Sequence, residues 1–271
     1  MKNFKDKVVV ITGAGSGIGK ALAIDFATRG ALLAISDINA EQLEDTRNLC
    51  HTEVYTEVFD VSVRESFIDF ANHVIQKFGR VDVVINNAGV ALSRAKITET
   101  TYEEFEWLMG INFWGVVYGT KEFLPHLLQR KEAALVNISS LFGLAGIAEQ
   151  IPYCSSKFAV RGLTESLRME LIGTPVSVHT VHPGGIKTNI ANNARMVEQT
   201  DKVEAIKDLE KFNENALRHT PEKAAQVIIK GIMSGEEKIM IGMETFLADV
   251  TTKLLPTSYS KVFNYLKDRT L

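Results

Sequence analysis

The sequence predicts an α/β fold, a doubly wound parallel sheet of about seven strands with helices on both faces, on the strength of three observations. Short β-branched apolar runs alternate with longer stretches of helical period. A glycine-rich turn follows the first of these runs directly, and several helix starts carry capping residues. The strand candidates are Lys7 to Thr12, Leu32 to Ser36, Val54 to Phe59, Val81 to Asn86, Leu135 to Ser139, Val176 to Val181 and Ile239 to Ile241. Among the helix starts, Ser62 with Glu65 and Asn39 with Gln42 fit capping boxes, and Thr220 followed by Pro221 fits an N-cap with proline in the first turn. No repeat, low-complexity stretch or Pro/Gly/Ser-rich linker divides the chain, so residues 1–271 read as one domain. The rhythm breaks at residues 187–219, a polar insertion beside the sheet that reads as a lid, and residues 243–271 form a C-terminal tail of helical period.

Composition narrows the function. With 45% hydrophobic and 23% charged residues among 271, the chain has the make-up of a globular protein with a sizeable core. A net charge of −3 argues against a nucleic-acid footprint, which needs a strongly basic domain or stripe. Two cysteines, Cys50 and Cys154, are too few for a disulfide framework, the N-terminus has no secretory pattern, and no apolar run is long enough to span a bilayer. A cytoplasmic protein with no integral membrane segment is expected. The six histidines include no pair at metal-ligand spacing, so no metal is expected, and His182 reads as structural. Cys154 reads as a small buried apolar residue rather than a redox switch.

The glycine-rich turn carries the first functional signal. The strand VVVIT runs into Gly13, Gly15, Gly17 and Gly19 and then an apolar helix, with Ser16 and Ile18 between the glycines. Glycines let backbone approach phosphates, and a helix N-terminus offers N–H groups and the positive end of its dipole, so the context suits a dinucleotide pyrophosphate on a Rossmann-type sheet. The spacing is not GxGxxG, because Ile18 stands at the third glycine. A P-loop fails because Ala14 and Ala21 replace the glycine and the Mg²⁺-ligating hydroxyl it requires. A ligand-free flexible turn remains the competing reading. Asp37, at the end of the second strand, can accept hydrogen bonds from ribose hydroxyls, which favours NAD(H) and disfavours NADP(H), whose 2′-phosphate would meet a carboxylate. Its competing reading is a turn residue leading into the Asn39 cap.

From Thr12 to Gly19 the run TGAGSGIG resembles the TGxxxGxG turn of the short-chain dehydrogenase/reductase family, and the resemblance continues in register along nearly the whole chain. Asp60 and Val61 match the pair that contacts the adenine ring; Asn86, Asn87, Ala88 and Gly89 match the NNAG element that shapes the cofactor site; Asn112 matches the helix asparagine. Ser140, in VNISSLFG, matches the catalytic serine, Tyr153 and Lys157 form the YxxxK pair, and Pro183, Gly184, Ile186 and Thr188 match the element on the nicotinamide side. The resemblance implies that Ser140 binds the substrate oxygen, that Tyr153 is the acid/base, that Lys157 also binds the nicotinamide ribose, and that Asn112 holds a water linking the site to solvent. A YxxxK/R pair alone arises by chance roughly once per chain of this composition, and Tyr265 with Arg269 is such a pair, read as a solvated helix face.

These residue types suit hydride transfer between a secondary alcohol and a ketone. The cofactor handles the hydride, and the protein must move a proton at the substrate oxygen. A tyrosine does this near neutral pH only if an adjacent cation lowers its pKa, and Lys157, one turn further along the helix, is placed for that. The alternative from another class is a non-catalytic NAD(H)-sensing protein; intact Ser140, Tyr153 and Lys157 weigh against it. Leu141, Phe142, Leu144 and Gln150, with Ser140 and Tyr153, are the substrate-side candidates. Ile147, Ile151, Ile186, Ile190, Met196 and Val197 add apolar surface, so a hydrophobic alcohol or ketone is expected. Phe113, Trp114 and Phe158 lie on faces that cannot all turn inward, and similar proteins pair these helices between subunits, which implies a homo-oligomer, a tetramer or dimer.

Overall fold

The computed structural model describes residues 1–200, 217–261 and 263; the Tyr265/Arg269 pair and residues 201–216 of the predicted lid lie outside the described residues. Its centre is one seven-stranded parallel sheet in the order β3-β2-β1-β4-β5-β6-β7. The strands are β1 (Val8–Thr12), β2 (Leu32–Asp37), β3 (Val54–Val58), β4 (Val83–Asn86), β5 (Ala133–Ile138), β6 (Val176–Pro183) and β7 (Lys238–Ile241). All seven predicted strands are present, within two residues of their expected bounds at nearly every end.

Side-chain alternation divides the core into two layers. Val9 and Ile11 of β1 face a layer with Leu22 and Phe26 of α1 (Gly17–Thr28) and Ile228 and Ile232 of the helix Pro221–Ser234. Val8 and Val10 face the other layer, with Phe67 and Phe70 of α3 (Arg64–Phe78) and Phe123 of α5 (Gly115–Leu127). The three phenylalanines there meet edge to face at 5.9–6.4 Å. Between these come α2 (Ala40–Leu49), α4 (Tyr102–Met109) and α6 (Ile151–Glu170); Pro221–Ser234 is α7 and Met243–Leu254 is α8.

The caps show where local reading succeeds. Thr220 accepts from Lys223 N ahead of Pro221, and Asn39 accepts from Gln42 N at 3.0 Å, though only this half of the expected box forms because Asn39 N donates to Asp37 Oδ1. The Ser62/Glu65 box does not form. Helix α3 starts after Val63, and Ser62 gives both its N–H and its hydroxyl to Asp60 Oδ1, at 2.8 and 2.7 Å, because a carboxylate two residues away outcompetes a distant helix end. A reciprocal box forms instead at Thr101 and Glu104, which opens α4. The helical run α4–α5 is interrupted by a π-turn, Gly110–Trp114, that holds Asn112.

Candidate active site

The strands end on one edge of the sheet in the segments that the motifs mark, so the site is assembled from the loops after β1, β4, β5 and β6. At β1 the chain turns through Gly13, whose φ of +66° and whose approach to Ala88 leave no room for a Cβ. A Cβ on Gly19 would collide with the Gly13 carbonyl oxygen, which packs α1 hard against the turn. Asn87 fastens the same turn to β4: its Nδ2 donates to Thr12 O and Gly13 O at 2.9 and 3.0 Å, while Asn87 N and Ala88 N share Thr12 Oγ1. Ser16 caps α1 with no side-chain hydrogen bond, and the first turn holds no acidic residue, so the positive end of the helix carries no protein-supplied anion. Asp37 sits beside this turn and accepts from Gly15 N at 2.8 Å and Asn39 N at 3.0 Å. Thr188 approaches Gly17 from the far side. Val61 is buried against Gly115, with Asp60 next to it holding the Ser62 turn.

On the β5 side, Ser140 begins the 3₁₀ turn Leu141–Gly143 and accepts from Phe142 N at 3.1 Å. Its hydroxyl lies close enough to the Tyr153 phenol to favour the phenolate. Lys157 is buried one helical turn on, with Nζ donating to Ile138 O at 3.1 Å and lying 5.6 Å from the Tyr153 ring centroid. Ser140, Tyr153 and Lys157 are therefore brought together as the motif requires. The electrostatics differ from the expectation. Burial pushes the Tyr153 phenol up to about 12, the Ser140 hydroxyl opposes this, and Cys154 adds to it. Lys157 lies over the ring face rather than at the hydroxyl, so in the protein's own field desolvation wins. The same desolvation brings Lys157 down to about 8.

Asn112 is fully buried. Its Oδ1 accepts from Val90 N at 2.8 Å, and its Nδ2 donates to Val90 O at 2.9 Å and Ser156 Oγ at 3.3 Å. The carboxamide thus fastens the loop after β4 to α6. Gly89 lies between Asn112 Oδ1 and Lys157 Nζ, where a Cβ would stand 3.2 and 3.4 Å from them.

Among the substrate-side candidates, Phe142 meets Tyr153 edge to face at 5.8 Å, Leu141 is half-buried beside it, and Gln150 caps α6 with no side-chain bond. Leu144 is buried in the loop itself, and Ile186 packs into the core with β7 and α7, so neither side chain adds open apolar surface as expected. Pro183 is buried too, and Gly184 packs against Glu244. The start of the predicted lid docks on the loop after β4: Leu92 bridges Arg195, Ser93 Oγ accepts from Val197 N at 2.9 Å, and Val197 packs with Leu92, Leu108, Val90, Trp107 and Tyr153. Sequence reading missed Leu92 and Trp107, which no motif marks. It also left the tail unassigned; its described part turns back on the substrate loop, where Tyr259 accepts from Gly146 N at 3.3 Å.

Comparison with known proteins agrees with this geometry. Residues 7–199 match the family described as short chain dehydrogenase. The chain belongs to the short-chain dehydrogenase/reductase family. It is 40% identical to "Putative oxidoreductase SadH" of Mycobacterium tuberculosis over 97% of this chain and 95% of that protein. A short-chain dehydrogenase/reductase from Burkholderia phymatum in complex with NAD superposes with a TM-score of 0.85, at 28% identity, over 97% of this chain and 96% of that one. Levodione reductase superposes at 0.80, with 27% identity over 91% and 99% of the two chains. An alcohol dehydrogenase from Thermococcus sibiricus complexed with 5-hydroxy-NADP does so at 0.74, with 27% identity over 88% and 96%. The chain is an oxidoreductase of this family. No described helix is long and apolar enough to cross a membrane.

Proposed function

We propose that this oxidoreductase interconverts a secondary alcohol and a ketone on a hydrophobic substrate, with NAD(H) preferred over NADP(H) and Tyr153 as general acid/base. The observation that carries the reading is the Tyr153 phenol beside Ser140, with buried Lys157 5.6 Å from its ring centroid, at the sheet edge that bears the glycine turn.

The residues present fit the cofactor. The uncapped positive end of α1 and the Gly13–Gly19 backbone suit a pyrophosphate, Asp37 a ribose, Asp60 and Val61 an adenine, and Ala88, Gly89, Pro183 to Ile186 and Thr188 the nicotinamide half. NAD(H), when bound, supplies or accepts the hydride. In the reducing direction Ser140 orients the substrate carbonyl oxygen and Tyr153 donates its proton there; in oxidation the phenolate takes the proton back. The positive charge of buried Lys157 favours that phenolate, and Asn112 holds the loop after β4 in place. Leu141 and Phe142 beside Tyr153, with Val197 and Tyr259 at the margins, support an apolar substrate. Residues 1–271 work as one cytoplasmic domain with a lid and tail. Trp114 and Phe158, 48% and 40% exposed, support a homo-oligomer, which a monomeric mass by light scattering would refute.

The test is NADH and NADPH oxidation against a panel of apolar ketones and diketones, with Tyr153→Phe as control. Turnover that prefers NADH and falls by about 10²–10⁴-fold in the variant is expected. Tight NADH binding with no turnover across the panel would favour the NAD(H)-sensing alternative.

A further inference from the structure

His182 is fully buried at the end of β6, and sequence alone reads it as structural. Its surroundings say more. The β5–β6 ladder runs to the bond from Ser139 N to Val181 O, at 2.8 Å. Two residues further, β6 places Pro183, which has no N–H to give the next rung, to Ser139 O. Ser140 therefore stands beyond the last backbone rung, where parallel pairing no longer fixes it. The His182 ring fills that gap: its Nδ1 lies 2.9 Å from the Ser140 carbonyl oxygen. A carbonyl only accepts, so Nδ1 carries the proton and Nε2 presents a bare lone pair. Among the described residues that Nε2 is buried without a partner, a state folded proteins avoid unless something holds the group there. Burial keeps the ring neutral, bringing its pKa down to about 4, so the Nδ1–H tautomer persists across the working range.

Three more contacts fix the same few atoms. Ser139 Oγ donates to Lys157 O at 2.8 Å, tying the strand end to α6. Ser140 Oγ accepts from Phe142 N and lies beside the Tyr153 phenol. Without the His182 bond, nothing from β6 would hold the Ser140 carbonyl, and the peptide could rotate and carry the hydroxyl off the phenol.

We infer that His182 is a positioning residue for the reaction: its Nδ1–H holds the Ser140 carbonyl just past the point where the backbone ladder stops, and so positions the Ser140 hydroxyl beside Tyr153. This rests on the Ser140–Tyr153 reading above, and the test separates the two. His182→Leu removes the donor; His182→Asn keeps one, because the Asn amide nitrogen falls close to the position of Nδ1. With a ketone found by the panel, His182→Leu is expected to lower kcat at least about tenfold with KM for NADH within about twofold. His182→Asn recovers most of the loss, and in a Ser140→Ala background His182→Leu adds nothing.

A second readout needs no turnover. In protein carrying ¹³Cζ-labelled tyrosine, the Tyr153 resonance, identified by its loss in Tyr153→Phe, should shift in His182→Leu as it does in Ser140→Ala and return in His182→Asn. An unmoved resonance in His182→Leu, or equal losses of kcat with and without Ser140, overturns the inference. A moved resonance in a protein that turns over nothing would sustain the positioning role and count against the oxidoreductase reading alone.

Discussion

The two edges of the sheet treat buried charge in opposite ways. At the amino edge Asp82, fully buried ahead of β4, accepts from Val8 N at 2.9 Å and meets Arg130, Arg80 and Lys7 at 3.0, 3.2 and 3.8 Å. At the carboxyl edge Lys157 is as deeply buried and, among the described residues, has one carbonyl for its ammonium, while Asp37 has two backbone amides and no cation there. Three cations from three segments close the lower site and tie β1, β4 and β5 together; the upper site leaves charge unbalanced, and that is the capacity a cofactor and a reaction can use.

The contrast can be broken at its strongest point first. Lys157 has its pKa lowered from 10.5 to about 8, so between those values the unfolded chain binds more protons at this site than the folded one. Stability contributed by this group therefore rises with pH across that window, by about 3 kcal/mol, and its penalty is full below pH 8. Urea unfolding of wild type and Lys157→Met from pH 7 to 10.5 should show that rise in the difference between them; a flat difference would mean that the ammonium is better solvated than its burial indicates.

Asp82→Asn tests the closed edge. The substitution leaves three cations facing a neutral amide, and because each is partly hydrated the loss should be about 2–3 kcal/mol, less than for a fully buried pair. Denaturant midpoints should fall with kcat intact; reduced kcat at full stability would show the two edges coupled. The smallest effect sharpens the comparison at Asp37. Asp37→Ser should weaken NADH about tenfold in a fluorescence titration and narrow the gap to NADPH. Unchanged preference would show that the carboxylate does not select the cofactor.

Much of this was open to sequence reading because it is local. Strand periodicity, the Thr220–Pro221 cap and the Tyr153–Lys157 spacing each depend on residues a turn or a pleat apart, and all appear as expected. The Ser62 box failed for a local reason too, since the same few residues offered a better acceptor in Asp60. In the protein alone the Tyr153 shift runs opposite to the one expected of the working site: spacing gives the proximity of Lys157 but not the depth at which both groups sit, and depth decides the sign there.

By itself, then, the sequence determined the order of elements, the faces they bury and the motif residues, because these follow from backbone geometry and the period of apolar side chains. Only the tertiary structure decided which distant groups share an environment: Asp82 with cations from three segments, Tyr259 on Gly146, Val197 in the apolar cluster that Tyr153 packs against, and the His182 ring on the Ser140 carbonyl. Those pairings are set by how the layers pack and where backbone hydrogen bonds run out, and the residues involved carry no mark of them along the chain.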